Sequence, residues 1–248
     1  MHAKGVVVWL HDLDERDANT FSSLAKPHAP WITFSSPLAN ARSVGCREGP
    51  TPAWFEIDRL PVTELPKAAP EGLWDSIKAV HERLDYLEDH ISIDSSRILL
   101  GGFGQGGALA VAAGLAYRKP LAGILSHSGW ACQPMSELVS LAGSANAAVP
   151  IMLISGRDDE MVSTAAAEAS AHALRTAGMR SVIEKSFEGL EHKMYRSPCC
   201  QECAVRSQQP WSAVAVDSAP TLASCVCDGT LQPAASAVFG WGAGSGLS

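Results

Sequence analysis

Leu100-Gly101-Gly102-Phe103-Gly104-Gln105-Gly106-Gly107 is the stretch on which the fold turns. It closes a short aliphatic run, Ile98-Leu-Leu, and opens onto Ala108-Leu-Ala-Val-Ala-Ala. An apolar run this short, ended by glycines, is the pattern of a strand buried on both faces. From Gln105 to Arg118 the residues are small and apolar nearly all round, as in a helix pressed against a sheet. The glycines between them fit a strand-to-helix turn so tight that side chains would strike the neighbouring backbone.

The same alternation extends in both directions. Gly5-Val-Val-Val-Trp-Leu10, Leu121 to Leu125 and Pro150 to Ile154 read as further buried strands, and Ser181 to Phe187 as a weaker one. Between them, Trp74, Ile77, Val80, Leu84, Leu87 and Ile91 recur at helical spacing as one apolar stripe. Ser163 to Ala177 is Ala-rich, with Ser163 placed to cap it and Gly178 to stop it. Strands alternating with helices imply an α/β fold, a mostly parallel sheet with helices on both faces. A single domain over residues 1–195 is expected. Residues 196–248 carry Arg196, Glu202, Arg206, Asp217 and Asp228 as their only charges, lack lysine, and read as an irregular tail.

Composition excludes several function classes. Of 248 residues, 46% are hydrophobic and 18% charged, enough apolar content for a sizeable core. The formal net charge of −7 disfavours nucleic acid as a partner. The apolar run at the N-terminus is too short for a leader or a span, so a cytoplasmic protein without stable membrane insertion is expected. Cys46, Cys132, Cys199, Cys200, Cys203, Cys225 and Cys227 make an odd set that fits reduced thiols.

Gly102-Phe-Gly104-Gln-Gly106 has the spacing of the nucleophile elbow, Gly-x-Ser-x-Gly, with glycine at its centre. Read alone, the same segment also suits a glycine-rich turn that binds an anion at a helix N-terminus. Four other segments favour the elbow: Trp9-Leu-His-Asp-Leu-Asp-Glu15, Pro52-Ala-Trp-Phe-Glu-Ile57, Gly156-Arg-Asp-Asp-Glu-Met-Val162 and Phe187-Glu-Gly-Leu-Glu-His192. Together, and in this order, the five resemble the acyl-protein thioesterase and carboxylesterase (phospholipase/carboxylesterase) family of α/β-hydrolases. The resemblance implies hydrolysis of an acyl ester or of a lipidated protein's thioester, without cofactor or metal. It implies Asp159 as the acid and His192 as the base of a triad whose nucleophile position is Gly104. It further implies an oxyanion hole from the backbone N–H groups of Leu13 and Gln105, and Trp54 and Phe103 beside the acyl chain.

The chain departs from that pattern in three places. Gly104 has no hydroxyl, so no acyl-enzyme can form on it. Asp12 and Asp14 stand where the family has glycines, and carboxylates there oppose the charge that an oxyanion hole stabilises. The sequence after His192 leaves the family's closing helix for the Cys-rich tail. Ser128, in Ser-His-Ser-Gly-Trp130, is a poor substitute nucleophile because it lacks the preceding glycine and is expected in the next loop of the sheet. Cys200, Cys203, Cys225 and Cys227 could form a zinc site, though the second pair is atypically close. Three functions stay open: a scaffold that has lost its nucleophile and is inactive or very weak, an active hydrolase to which Gly104 is not native, and a non-catalytic module for acyl chains or lipidated proteins.

Overall fold

A computed structural model describes residues 5–27 and 29–194. The proposed tail and its zinc site lie outside the described residues. The strands are β1 (Gly5–Leu10), β2 (Ile32–Ser35), β3 (Ala41–Arg42), β4 (Thr51–Pro52), β5 (Ile98–Phe103), β6 (Gly123–His127), β7 (Ile151–Gly156) and β8 (Val182–Phe187). The α-helices are α1 (Thr20–Ala25), α2 (Leu73–Ile91), α3 (Gln105–Ala116), α4 (Met135–Ser140) and α5 (Thr164–Thr176). Six strands form one sheet in the order β2-β1-β5-β6-β7-β8, and every neighbouring pair is parallel. β3 and β4 make a separate antiparallel ribbon.

The aliphatic runs form buried strands because both sheet faces are covered. Along β1, Val6, Val8 and Leu10 pack on one face with α2, α3 and α5, while Val7 and Trp9 pack on the other with Phe21 and Ala25 of α1. The Trp9 and Phe21 rings stack at 3.8 Å. α2 buries Leu73, Ile77, Val80, Leu84 and Leu87, each contributing about 1.5–3 kcal/mol by leaving water. Trp74 and Ile91, assigned to the same stripe from spacing, are instead 51% and 40% exposed. Both sit at the outer margin of a stripe that five residues already fill. Ser163 caps α5 by accepting the Ala166 N–H, and Gly178 follows it with φ +97°.

Topology places the site. From β1 the chain steps outward to β2, then returns to put β5 on β1's other side. The carboxyl ends of β1 and β5 therefore flank a switch point, the place where parallel sheets leave a crevice. His11-Asp12-Leu13 leaves β1 there, and Gly104-Gln105 leaves β5 directly beside it, since Leu10 pairs with Gly102.

Candidate active site

The elbow's glycines answer to close approach. A Cβ on Gly106 would lie 2.2 Å from the Leu10 carbonyl oxygen, and one on Gly102 would lie 2.4 Å from the Gly106 carbonyl. Gly104 itself has φ 53° and ψ −119°, a conformation that costs about 1–3 kcal/mol for other residues. Its N–H donates to the His127 carbonyl at 2.9 Å, and its carbonyl accepts the first bond of α3 from Ala108.

Asp159 and His192 arrive from β7 and β8. The loops after these strands are joined by Arg157 N–H to the Phe187 carbonyl (2.9 Å) and Asp158 N–H to the Leu190 carbonyl (3.2 Å). Asp158 is exposed, whereas the Asp159 side chain is 1% exposed. Asp159 Oδ1 accepts the N–H groups of Met161 (2.9 Å) and Val162 (2.8 Å), which fixes its orientation. His192 Nδ1 lies 2.8 Å from Asp159 Oδ2 and 3.0 Å from Oδ1. Burial would raise the Asp159 pKa, but the hydrogen bond and charge of His192 and the two backbone donors bring it below the ordinary range.

The other ring nitrogen of His192 meets Asp12. Its Nε2 is 3.0 Å from Asp12 Oδ2, and Asp12 Oδ1 accepts the Gln105 backbone N–H at 2.7 Å. This carboxylate occupies the space that a side chain on Gly104 would need: an added Cβ would lie 1.9 Å from Oδ1 and 2.2 Å from Cγ. Sequence reasoning treated Asp12 only as a repulsive neighbour of an oxyanion. Its reach across the crevice was missed, although His-Asp at the end of β1 facing a side-chain-free Gly104 is the signal that marks it.

The consequence is electrostatic. Burial pulls the His192 pKa down, but hydrogen bonds to Asp12 and then Asp159, with the charges of both, overcome this and lift it to about 9. At neutral pH the ring is an imidazolium donating from both nitrogens, with no lone pair free to act as base. Behind it, Phe103 lies against His192 (ring centroids 4.8 Å) and His127 (5.0 Å). Burial first, and the His192 charge second, push His127 down to about 4, so it stays neutral.

The remaining sequence-assigned residues surround this centre. Gln105 supplies its backbone N–H to Asp12, while its buried side chain pins the loop opposite, accepting from Trp54 N–H (2.8 Å) and donating to the Phe55 carbonyl (2.7 Å). Trp54 is buried, its indole N–H donating to the His11 carbonyl at 2.9 Å, and it lines neither of the cavities described below. Leu13 lines a recess with Asp12, Arg47, Ile57, Trp130 and His192, among others; its enclosed part of about 20 Å³ has room for about one water. Asp14 is held at φ 63°, the left-handed region a glycine adopts without cost. Ser128 follows β6, buried with φ 50°, its N–H bonded to the Ile154 carbonyl. A larger groove of about 710 Å³ runs along residues 55–71, including Ile57, Val62 and Leu65, to Trp130. Among the described residues no cluster of His, Cys, Asp or Glu is placed to hold a metal, and no helix is long and apolar enough to cross a membrane.

A parallel sheet with an elbow after β5, and an acid and a histidine after β7 and β8, defines an α/β-hydrolase. The sequence pattern of the phospholipase/carboxylesterase family matches residues 1–198, and the chain belongs to that family. It is 32% identical over 196 residues to acyl-protein thioesterase 1 of Schizosaccharomyces pombe, covering 76% of this chain and 83% of that protein. It is 31% identical over 200 residues to the probable carboxylesterase SOBER1-like of Arabidopsis thaliana, covering 77% and 74%. The crystal structure of Arabidopsis thaliana SOBER1 superposes with a TM-score of 0.68 at 27% identity, over 76% of this chain and 90% of that one.

Proposed function

We propose that this chain is a phospholipase/carboxylesterase family member that does not carry out acyl transfer through a serine, and that its site is filled by its own Asp12. One observation carries this: the Asp12 carboxylate occupies the space beside Gly104, bonded at once to the Gln105 N–H and to His192 Nε2. Gly104 offers no nucleophile. Loss of one triad member leaves only ~10³–10⁴-fold catalysis over water. Tying up an oxyanion-hole donor removes a further ~10²–10³-fold.

The groove along residues 55–71 supports a second role, retention of an acyl ester or a lipidated protein without turnover. Its lining mixes apolar side chains, Ile57, Val62 and Leu65 among them, with the charged Glu56, Asp58, Arg59, Glu64, Lys67 and Glu71, and the relatives' names concern acyl-protein thioesters and carboxylic esters. An active enzyme with a serine native at 104 would have to rotate the Asp12 side chain away from Gly104 and give up its bonds to the Gln105 N–H and His192 Nε2. The test is hydrolysis of a short-chain aryl ester and of a palmitoyl thioester by the purified chain. No turnover above the Asp159→Asn variant is expected. Turnover at ordinary enzymatic rates, ~1–10³ s⁻¹, overturns the proposal.

A further inference from the structure

The group that blocks a serine is itself a nucleophile. Asp12 Oδ1 is held by the Gln105 N–H, while Oδ2 faces His192 Nε2, which is backed by Asp159. An oxygen nucleophile, one backbone donor on the adjoining oxygen, and a carboxylate-oriented histidine are the parts of a covalent two-step hydrolysis. The carboxylate opens on the recess walled by Leu13, Ile57, Leu60, Trp130 and Val162, which Arg47 also lines. Its enclosed part has room for about one water, and the rest is open to solvent.

The geometry also selects the electrophile. An acyl substrate needs the Gln105 N–H for its own carbonyl oxygen, and Asp12 Oδ1 already holds that donor. A saturated carbon needs no oxyanion hole when attacked. Its leaving group departs in line, away from Asp12 and His192, so it must leave as a stable anion without receiving a proton. We infer that Asp12 is a carboxylate nucleophile toward small, neutral, apolar alkyl compounds bearing a halide or sulfonate leaving group, with His192 and Asp159 hydrolysing the resulting ester.

The steps balance. An Asp12 Oδ2 lone pair forms the C–O bond as the carbon–halogen bond breaks, and the halide departs with its electron pair into the recess lined by Arg47. Alkylation neutralises one of the two carboxylates that keep His192 protonated, so the ring releases a proton to solvent and becomes a base. It then takes a proton from water, and the hydroxide adds to Asp12 Cγ. The charge that develops on Oδ1 is already met by the Gln105 N–H. Collapse expels the alkoxide, which takes the proton from His192. Asp12 returns to carboxylate by giving its proton to the ring. The sum is alkyl halide plus water giving alcohol, halide and a proton.

The experiment incubates the full chain with 1-iodobutane in ¹⁸O-water and reads iodide release, the butanol oxygen and the mass of the peptide containing Asp12. The inferred route leaves the first turnover's butanol unlabelled and puts ¹⁸O into the Asp12 carboxylate, because water attacks Cγ. In His192→Asn the ester's hydrolysis slows by ~10²–10⁴-fold, so a butyl adduct accumulates on Asp12. In Asp12→Asn iodide release falls to background. Labelled butanol in the first turnover, alkylation confined to Cys46, or iodide release unchanged by Asp12→Asn overturns the inference. An esterase assay that stays silent while Asp12 stays unlabelled removes this inference alone; an active esterase removes the proposed function as well.

Discussion

Restoring a serine at position 104 will not by itself restore a hydrolase. The Cβ of Gly104→Ser would lie 1.9 Å from Asp12 Oδ1 and 2.7 Å from Oδ2, so the carboxylate must leave. In leaving it breaks the Gln105 N–H bond and the His192 bond, each charge-assisted and together worth about 3–6 kcal/mol. A side chain at φ 53° and ψ −119° adds about 1–3 kcal/mol of backbone cost. The two together, about 4–9 kcal/mol, reach the whole stability of many domains. With a slope of ~2 kcal/mol per molar urea, they lower the unfolding midpoint by ~2–4.5 M. Adding Asp12→Gly removes the obstacle, frees the Gln105 N–H, and leaves His192 Nε2 for the new hydroxyl. The double variant is expected to be more stable than Gly104→Ser alone, with a coupling of ~0.5–3 kcal/mol between the sites. It is also expected to hydrolyse a short-chain aryl ester that the single variant does not. Urea melts and aryl-ester kinetics on the four chains of the cycle measure both. A Gly104→Ser chain that keeps the parent's midpoint and matches the double variant's turnover would refute the steric reasoning.

Stability should peak near neutral pH, with opposite causes on the two sides. The His192 pKa is raised from 6.5 to about 9 on folding, so its contribution of about 3 kcal/mol is complete below 6.5 and lost as pH rises through 9. On the acid side the unfolded chain takes up a proton that the buried His127, held down to about 4, refuses, so stability falls as pH drops from 6.5 toward 4. Urea midpoints across this range test it, and Asp12→Asn is expected to flatten the alkaline limb specifically. Gln105→Ala removes the side chain that bonds Trp54 N–H and the Phe55 carbonyl, both buried. Two orphaned groups at about 1–3 kcal/mol each predict a loss of about 2–6 kcal/mol by chemical denaturation.

The sheet's interior was legible because β1, β5 and β7 are buried on both faces and carry unbroken aliphatic runs. β6 runs over Gly123–His127 rather than 121–125, because its polar end, Ser126-His127, is buried against the elbow instead of marking a loop. β2, α1 and α4 went unread: four to six residues are too few to establish a period, and their packing partners are distant in sequence. At the site, family resemblance brought Asp159 and His192 together with Gly104, and the structure places all three at the carboxyl edge of the sheet. Asp12 was visible as a departure but not as an occupant. Its role depends on the crevice between β1 and β5, and on empty space at Gly104 that becomes meaningful only when another residue's side chain fills it.

On the proposed function, Asp12 sits beside Gly104 and holds His192 as an imidazolium. NMR titration of the His192 ring, in the parent chain and in Asp12→Asn, reads that contact directly. The parent is expected to titrate at about 9, and the variant clearly lower, because one of its two carboxylate partners is gone. A His192 that titrates near 6.5 in the parent, or whose titration does not move in Asp12→Asn, is not held by Asp12.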